Sequence, residues 1–228
     1  MIADKREFGM GVVLFLAFVV VFIGMFMPWI NGQNILNYMD NLYNSISKDS
    51  AYYVPSLQES VAPYNGKTLK VTLSYANERR AEQAAHLFRE AGAGVTPDGA
   101  RIEVAGDLGT ILSAALVDTD AMFHNNDDEL ESRYGYPGRQ ALYNWWASLN
   151  ELDRALKKQK RFDAAKFVDQ VNKKGVECAY NYFGIEPESI GDKAWIVLLS
   201  LVFYVIYTLW FGYSILFLFE GWGLNLSH

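Results

Sequence analysis

Apolar positions form two continuous runs toward the ends of the chain and shorter periodic patterns between them. Ala194 to Phe219 is unbroken by charge between Lys193 and Glu220, and Gly11 to Ile30 lies inside the charge-free stretch from Glu7 to Asp40. A helix needs about 20 apolar residues to cross roughly 30 Å of hydrocarbon. Both runs suffice, so the pattern predicts two transmembrane helices, at 11–30 and 193–219, with both termini on one side. Along the second run Ser200, Tyr204, Tyr207 with Thr208, and Ser214 recur at helical spacing. Hydroxyls facing lipid would lack partners, so this stripe is expected to meet other helices, either of other integral membrane subunits or of further copies of the chain.

Lys5 and Arg6 precede the first run in the order seen in a secretory signal. The run is longer than a signal's apolar core, however, and it ends in Met25-Phe26-Met27-Pro28-Trp29, where cleavage would want small side chains. It is read as an uncleaved anchor. Trp29, Trp195 and Trp222 suit the two interfaces. Lys5 and Arg6 favour an inside N-terminus, which makes the expected location the bacterial inner membrane, two-pass, with the central part periplasmic or extracellular. Within the membrane the first run is the nearest candidate to cover the hydroxyl stripe, with Ala17 and Gly24 as the small residues at the contact.

Between the runs the period changes. Ile35, Met39, Leu42 with Tyr43, and Ile46 predict an amphipathic helix that serves as a stalk against the soluble domain, and 49–66 reads as an irregular connection. Leu69, Val71, Leu73 and Tyr75 alternate with Lys70, Thr72 and Ser74, as in a half-buried strand. Asn77 can cap a helix carrying Ala81, Ala84, Ala85 and Phe88, which Gly92 ends. Val95 and the pair Ile102 and Val104 flank the turn residues Pro97-Asp98-Gly99, and Asp107 can cap a helix with Leu108, Ile111, Leu112, Ala115 and Met122 on one face. The fold class predicted is an α+β membrane protein: two transmembrane helices flank an extracytoplasmic βαββα, split ferredoxin-like module and a helical hairpin.

By its βαββα order, and by Ala91-Gly92 before Val95, then Asp98-Gly99, then Ile102-Glu103-Val104, this segment resembles the ring-building modules of flagellar and secretion-system membrane rings. The resemblance implies an oligomeric ring-forming scaffold.

His124 to Glu131 is polar and acidic but lacks the alternating acids and central glycine of a calcium loop, so it is expected to be a solvated loop. In the hairpin, Leu142, Trp145, Leu149, Leu152 and Leu156 are spaced three and four apart, with Trp146 beside them. Lys157, Lys158, Lys160 and Arg161 form a basic corner. Trp145, Trp146, Leu149, Lys157, Lys158 and Arg161 are therefore the candidate contacts of the soluble part with a protein partner. The expected segments are 1–10 (cytoplasmic), 11–30 (span), 31–66 (amphipathic helix and connection), 67–123 (α+β module), 124–138 (acidic loop), 139–192 (hairpin), 193–219 (span) and 220–228 (cytoplasmic tail).

Composition narrows the chemistry. A net charge of -6 gives no nucleic-acid footprint. One cysteine, Cys178, excludes an internal disulfide or thiolate cluster, and three separated histidines offer no haem pair within a chain. No Walker loop, dinucleotide fingerprint, nucleophile elbow or HExxH occurs. The expectation is a non-catalytic accessory or assembly subunit of a membrane complex, with no cofactor, metal or small-molecule substrate; an extracytoplasmic ligand sensor is the alternative of a different kind. Its partners would be the lipid bilayer and membrane proteins.

Overall fold

The computed structural model describes residues 2–224, which divide into two units, 2–46 with 188–224, and 47–187. Each follows from its own sequence pattern.

The first unit is built on two apolar helices, α1 (Lys5–Met25) and α10 (Ile190–Trp222), both long and apolar enough to span a membrane. Asp4 caps α1 by accepting from the backbone N–H groups of Arg6 and Glu7 at 2.8 and 3.1 Å. α10 starts at the Ser189 cap and stops where Gly223 turns left-handed at φ 85°. The helices run antiparallel: the carbonyl of Gly221 accepts from Ala3 N and Asp4 N at 2.9 and 3.1 Å. Two glycines allow this approach. A Cβ on Gly11 would lie 2.7 Å from Leu218 N, and one on Gly221 would collide with the Phe8 backbone. Gly24, expected at the contact, has nothing within 4 Å of a Cβ, because the close approach is at the other end of α1.

Farther along, aromatic rings fill the seam. Phe18 stacks on Tyr207 with centroids 4.3 Å apart and meets Phe211 at 5.0 Å, while Trp210 Nε1 donates to the Leu14 carbonyl at 3.1 Å. Packing of this kind, rather than apolar burial, is what holds helices together in lipid. The helix α2 (Ile35–Ser50) contributes most of its length to this unit.

The second unit has the strand, helix, hairpin, helix order. β1 (Thr68–Ser74), β2 (Gly94–Asp98) and β3 (Arg101–Asp107) form an antiparallel sheet of order β1-β3-β2. Its register sets Val71 opposite Val104 and Leu73 opposite Ile102, so all four point into the core while Lys70, Thr72, Arg101 and Glu103 remain exposed. A sheet with one wet face buries its other face under helices. They include α4 (Glu78–Glu90), capped by Asn77 Oδ1 on Arg80 N, and α5 (Leu108–Phe123), capped by Asp107 Oδ1 on Thr110 N. α3 (Val54–Glu59) and a short 3₁₀ turn at Ala62–Tyr64 occupy the segment expected to be irregular.

The acidic segment expected as a loop contains a helix, α6 (Asp127–Tyr134). Its acids Asp127, Asp128 and Glu129 form the first turn, where they complement the helix dipole, and Gly135 ends it at φ 74°. α7 (Gly138–Lys158) packs into the same core as the sheet. It is followed by α8 (Phe162–Gln170), a π-helical turn at Val171–Val176, and α9 (Glu177–Asn181).

A carboxylate sits inside this core. Asp118 lies on the apolar face of α5, between Ala115 and Met122, and accepts from Trp145 Nε1 at 2.7 Å, from the Tyr134 hydroxyl at 2.5 Å and from Arg133. Burial pushes its carboxyl up, against the pull of these donors. Lys48 is also buried, with Nζ donating to Asn125 Oδ1 at 3.0 Å and to the Ile185 carbonyl, and burial lowers its ammonium.

Candidate functional site

The hydroxyl stripe of α10 divides by position. Ser200, Tyr204, Tyr207 and Thr208 line an open apolar groove of 860 Å³ in the first unit, whose opposite wall is the first turns of α2. Ser214 is elsewhere: it is fully buried, and its hydroxyl bonds back to the Phe211 carbonyl at 2.7 Å.

α2 presents Ile35, Leu36, Met39 and Tyr43 to the groove. Its apolar face therefore serves the apolar unit for most of its length, where the periodicity alone suggested a stalk against the soluble domain. Tyr43 and Leu36 are groove residues that the α10 stripe did not identify. For Tyr43 the signal was the amphipathic period of 35–46, which tells which face is covered but not by what; Leu36 lies outside that series.

Among the groove hydroxyls of α10, Ser200 and Thr208 are satisfied within the chain and Tyr207 is not. Ser200 Oγ donates to the Val197 carbonyl at 2.7 Å, which leaves its lone pairs to accept from the Tyr43 hydroxyl, also at 2.7 Å. Thr208 donates to the Tyr204 carbonyl at 2.8 Å. The Tyr207 hydroxyl is sealed from solvent and has no hydrogen-bond partner among the described residues. An orphan hydroxyl of this kind costs roughly 1–3 kcal/mol. Tyr204 is 66% exposed, and the neighbouring Leu201 and Phe203 are also open. The groove is thus an open apolar surface beside an enclosed, unpartnered Tyr207 hydroxyl.

The candidate contacts on the soluble unit do not form one face. Trp145 and Leu149 are fully buried and so offer no surface to a partner. The seam of α7 faces the sheet and α4, where Trp145 meets Phe88 edge-on at 5.6 Å, rather than a foreign helix. Lys157 is held by Asp153 at 2.7 Å. Arg161 donates to the Thr68 carbonyl at 3.0 Å and Gln159 to the Lys70 carbonyl at 2.9 Å, covering the free edge of β1. Lys158 is exposed, with no ion pair among the described residues. Trp146 alone of the pair of tryptophans reaches a cavity, described below.

Among the described residues no group of three His, Cys, Asp or Glu side chains is placed to hold a metal ion. Cys178 is half-buried, its Sγ 3.4 Å from the Ala51 carbonyl, and burial raises its thiol. No known protein family, curated protein or solved structure matches the chain.

Proposed function

We propose that this chain is a non-catalytic accessory or assembly subunit of an integral membrane complex. α1 and α10 anchor it as a two-pass protein of the inner membrane, and the segment between them faces the periplasm or exterior; Lys5 and Arg6 ahead of α1 favour that orientation. The groove beside α10 receives an apolar helix of another subunit or of a second copy. The observation that carries this reading is the open apolar groove itself, on which Leu201, Phe203 and Tyr204 stand exposed. A lipid tail fills such a groove but accepts no hydrogen bond. A neighbouring helix carrying Ser, Thr or a freed carbonyl answers the hydroxyl of the exposed Tyr204 and covers the apolar walls together.

The test is a photoreactive phenylalanine analogue at Leu201 or Tyr204, introduced at native expression and irradiated in native membranes. The expected product is a stoichiometric adduct with one other membrane chain or with a second copy, recovered intact in mild detergent. Adducts with lipid only, together with a functional monomer after purification, would overturn the reading.

A further inference from the structure

The second unit carries a cavity of 400 Å³ between α7 and α9 that no part of the membrane reading uses. Its walls are Tyr143 and Trp146, three residues apart on α7, and Glu177, Tyr180 and Asn181 on α9. This volume falls in the range of small-ligand sites. The π turn at Val171–Val176 immediately precedes Glu177. One extra residue in a turn rotates everything after it by about 100°, which aims Glu177 and Tyr180 at α7.

The chemistry of the walls is specific. Tyr143 and Trp146 are tilted by 36° with centroids 5.6 Å apart, and Tyr180 adds a third ring. Glu177 is held in place by one oxygen, which accepts from Trp146 Nε1 at 2.8 Å, and has no cationic partner within ion-pair distance among the described residues. Three aromatic rings beside a carboxylate without an ion-pair partner suit a poorly hydrated cation. Two of the rings already carry cations. The Arg80 guanidinium lies 4.7 Å over Tyr143, and that of Arg139 lies 4.7 Å over Tyr180; neither has a carboxylate within ion-pair distance among the described residues. A simple cation would meet their repulsion, whereas a ligand with an anionic group a short linker away turns it into attraction.

We infer that this cavity binds a small zwitterion whose quaternary ammonium lies among Tyr143, Trp146, Tyr180 and Glu177 and whose anionic end faces Arg80 or Arg139, as in betaines and phosphocholine. The same chemistry is offered by the free solute and by a phosphatidylcholine headgroup.

The full chain in dodecyl maltoside, titrated calorimetrically with phosphocholine, glycine betaine, choline and inorganic phosphate, tests this. Phosphocholine or betaine is expected to bind at least about tenfold tighter than choline or phosphate alone. Glu177→Gln keeps an acceptor for Trp146 and is expected to weaken phosphocholine and choline alike, by about tenfold. The double variant Arg80→Gln/Arg139→Gln is expected to weaken phosphocholine and leave choline unchanged or improved. Circular dichroism and the thermal midpoint establish that each variant is folded, and Tyr180→Leu serves if one is not. No heat with either zwitterion at millimolar concentration, equal affinity for phosphate and phosphocholine, or full binding by Glu177→Gln would overturn the assignment. Competition by phosphatidylcholine nanodiscs but not by phosphatidylglycerol ones identifies the headgroup as the source; undiminished phosphocholine binding in their presence identifies the free solute.

Discussion

Replacing Asp118 by alanine leaves its three donors without their acceptor, and the structure indicates what each then does. Arg133 is 31% exposed at its side chain and keeps Glu129 at 2.8 Å, so it loses little. Trp145 is fully buried and Tyr134 is 6% exposed, so neither can turn to water. A buried donor left unsatisfied costs about 1–3 kcal/mol, which for two gives about 2–6 kcal/mol. Relief of the carboxylate's own desolvation offsets part of this, leaving about 3 kcal/mol. For a unit of this size that lowers the thermal midpoint by roughly 10 °C, read by near-ultraviolet circular dichroism of the full chain in detergent. Asp118→Asn retains one acceptor oxygen and is expected to lose about half as much. Asp118→Ala/Trp145→Phe removes one orphan and is expected to be less destabilised than the sum of the single variants.

The pH dependence has a definite sign. Burial raises the folded carboxyl of Asp118 above 3.8, so the folded state holds its proton longer than the unfolded chain. The stability this group contributes is full below pH 3.8 and declines as pH rises through the folded value; the wild type should therefore lose stability relative to Asp118→Asn over that rise. An Asp118→Ala variant as stable as the wild type, or strictly additive effects with Trp145→Phe, would refute the role given to this network.

Two further perturbations probe other parts of the molecule. Gly11→Val places a Cβ 2.7 Å from Leu218 N and should force α1 and α10 apart, reducing severalfold the oxidative crosslinking of a Phe8→Cys/Trp222→Cys pair whose native rings lie 6.0 Å apart; Gly24→Val, with nothing within 4 Å, should leave it unchanged. Lys48→Met removes a buried ammonium whose folded value lies below 10.5, so the wild type should gain stability relative to the variant as pH rises toward 10.5, measured by denaturant midpoints across that range.

Much of the local structure is written in short-range pattern. The alternation of Leu69, Val71 and Leu73 gives β1, Asp98-Gly99 turns the hairpin, and Asn77 and Asp107 stand where α4 and α5 begin. Each depends on interactions within a few residues, which sequence displays directly. The acidic stretch, expected as a solvated loop, is helical because its acids stand in a helix first turn and Gly135 supplies the stop. Asp118 also left a trace, as a charge on an otherwise apolar face.

By itself the sequence determined that two helices long and apolar enough to span a membrane stand toward the ends, that an antiparallel α+β unit lies between them, and that α10 bears a hydroxyl stripe. Periodicity specifies a face but not its cover. Tertiary structure alone decided that Trp145 and Leu149 turn inward while Trp146 meets Glu177, that Gly11 rather than Gly24 admits the neighbouring helix, and that Ser214 is answered within the chain while Tyr207 is not. These outcomes depend on which distant segment arrives at each face, down to a single π turn that rotates Glu177 and Tyr180 toward α7.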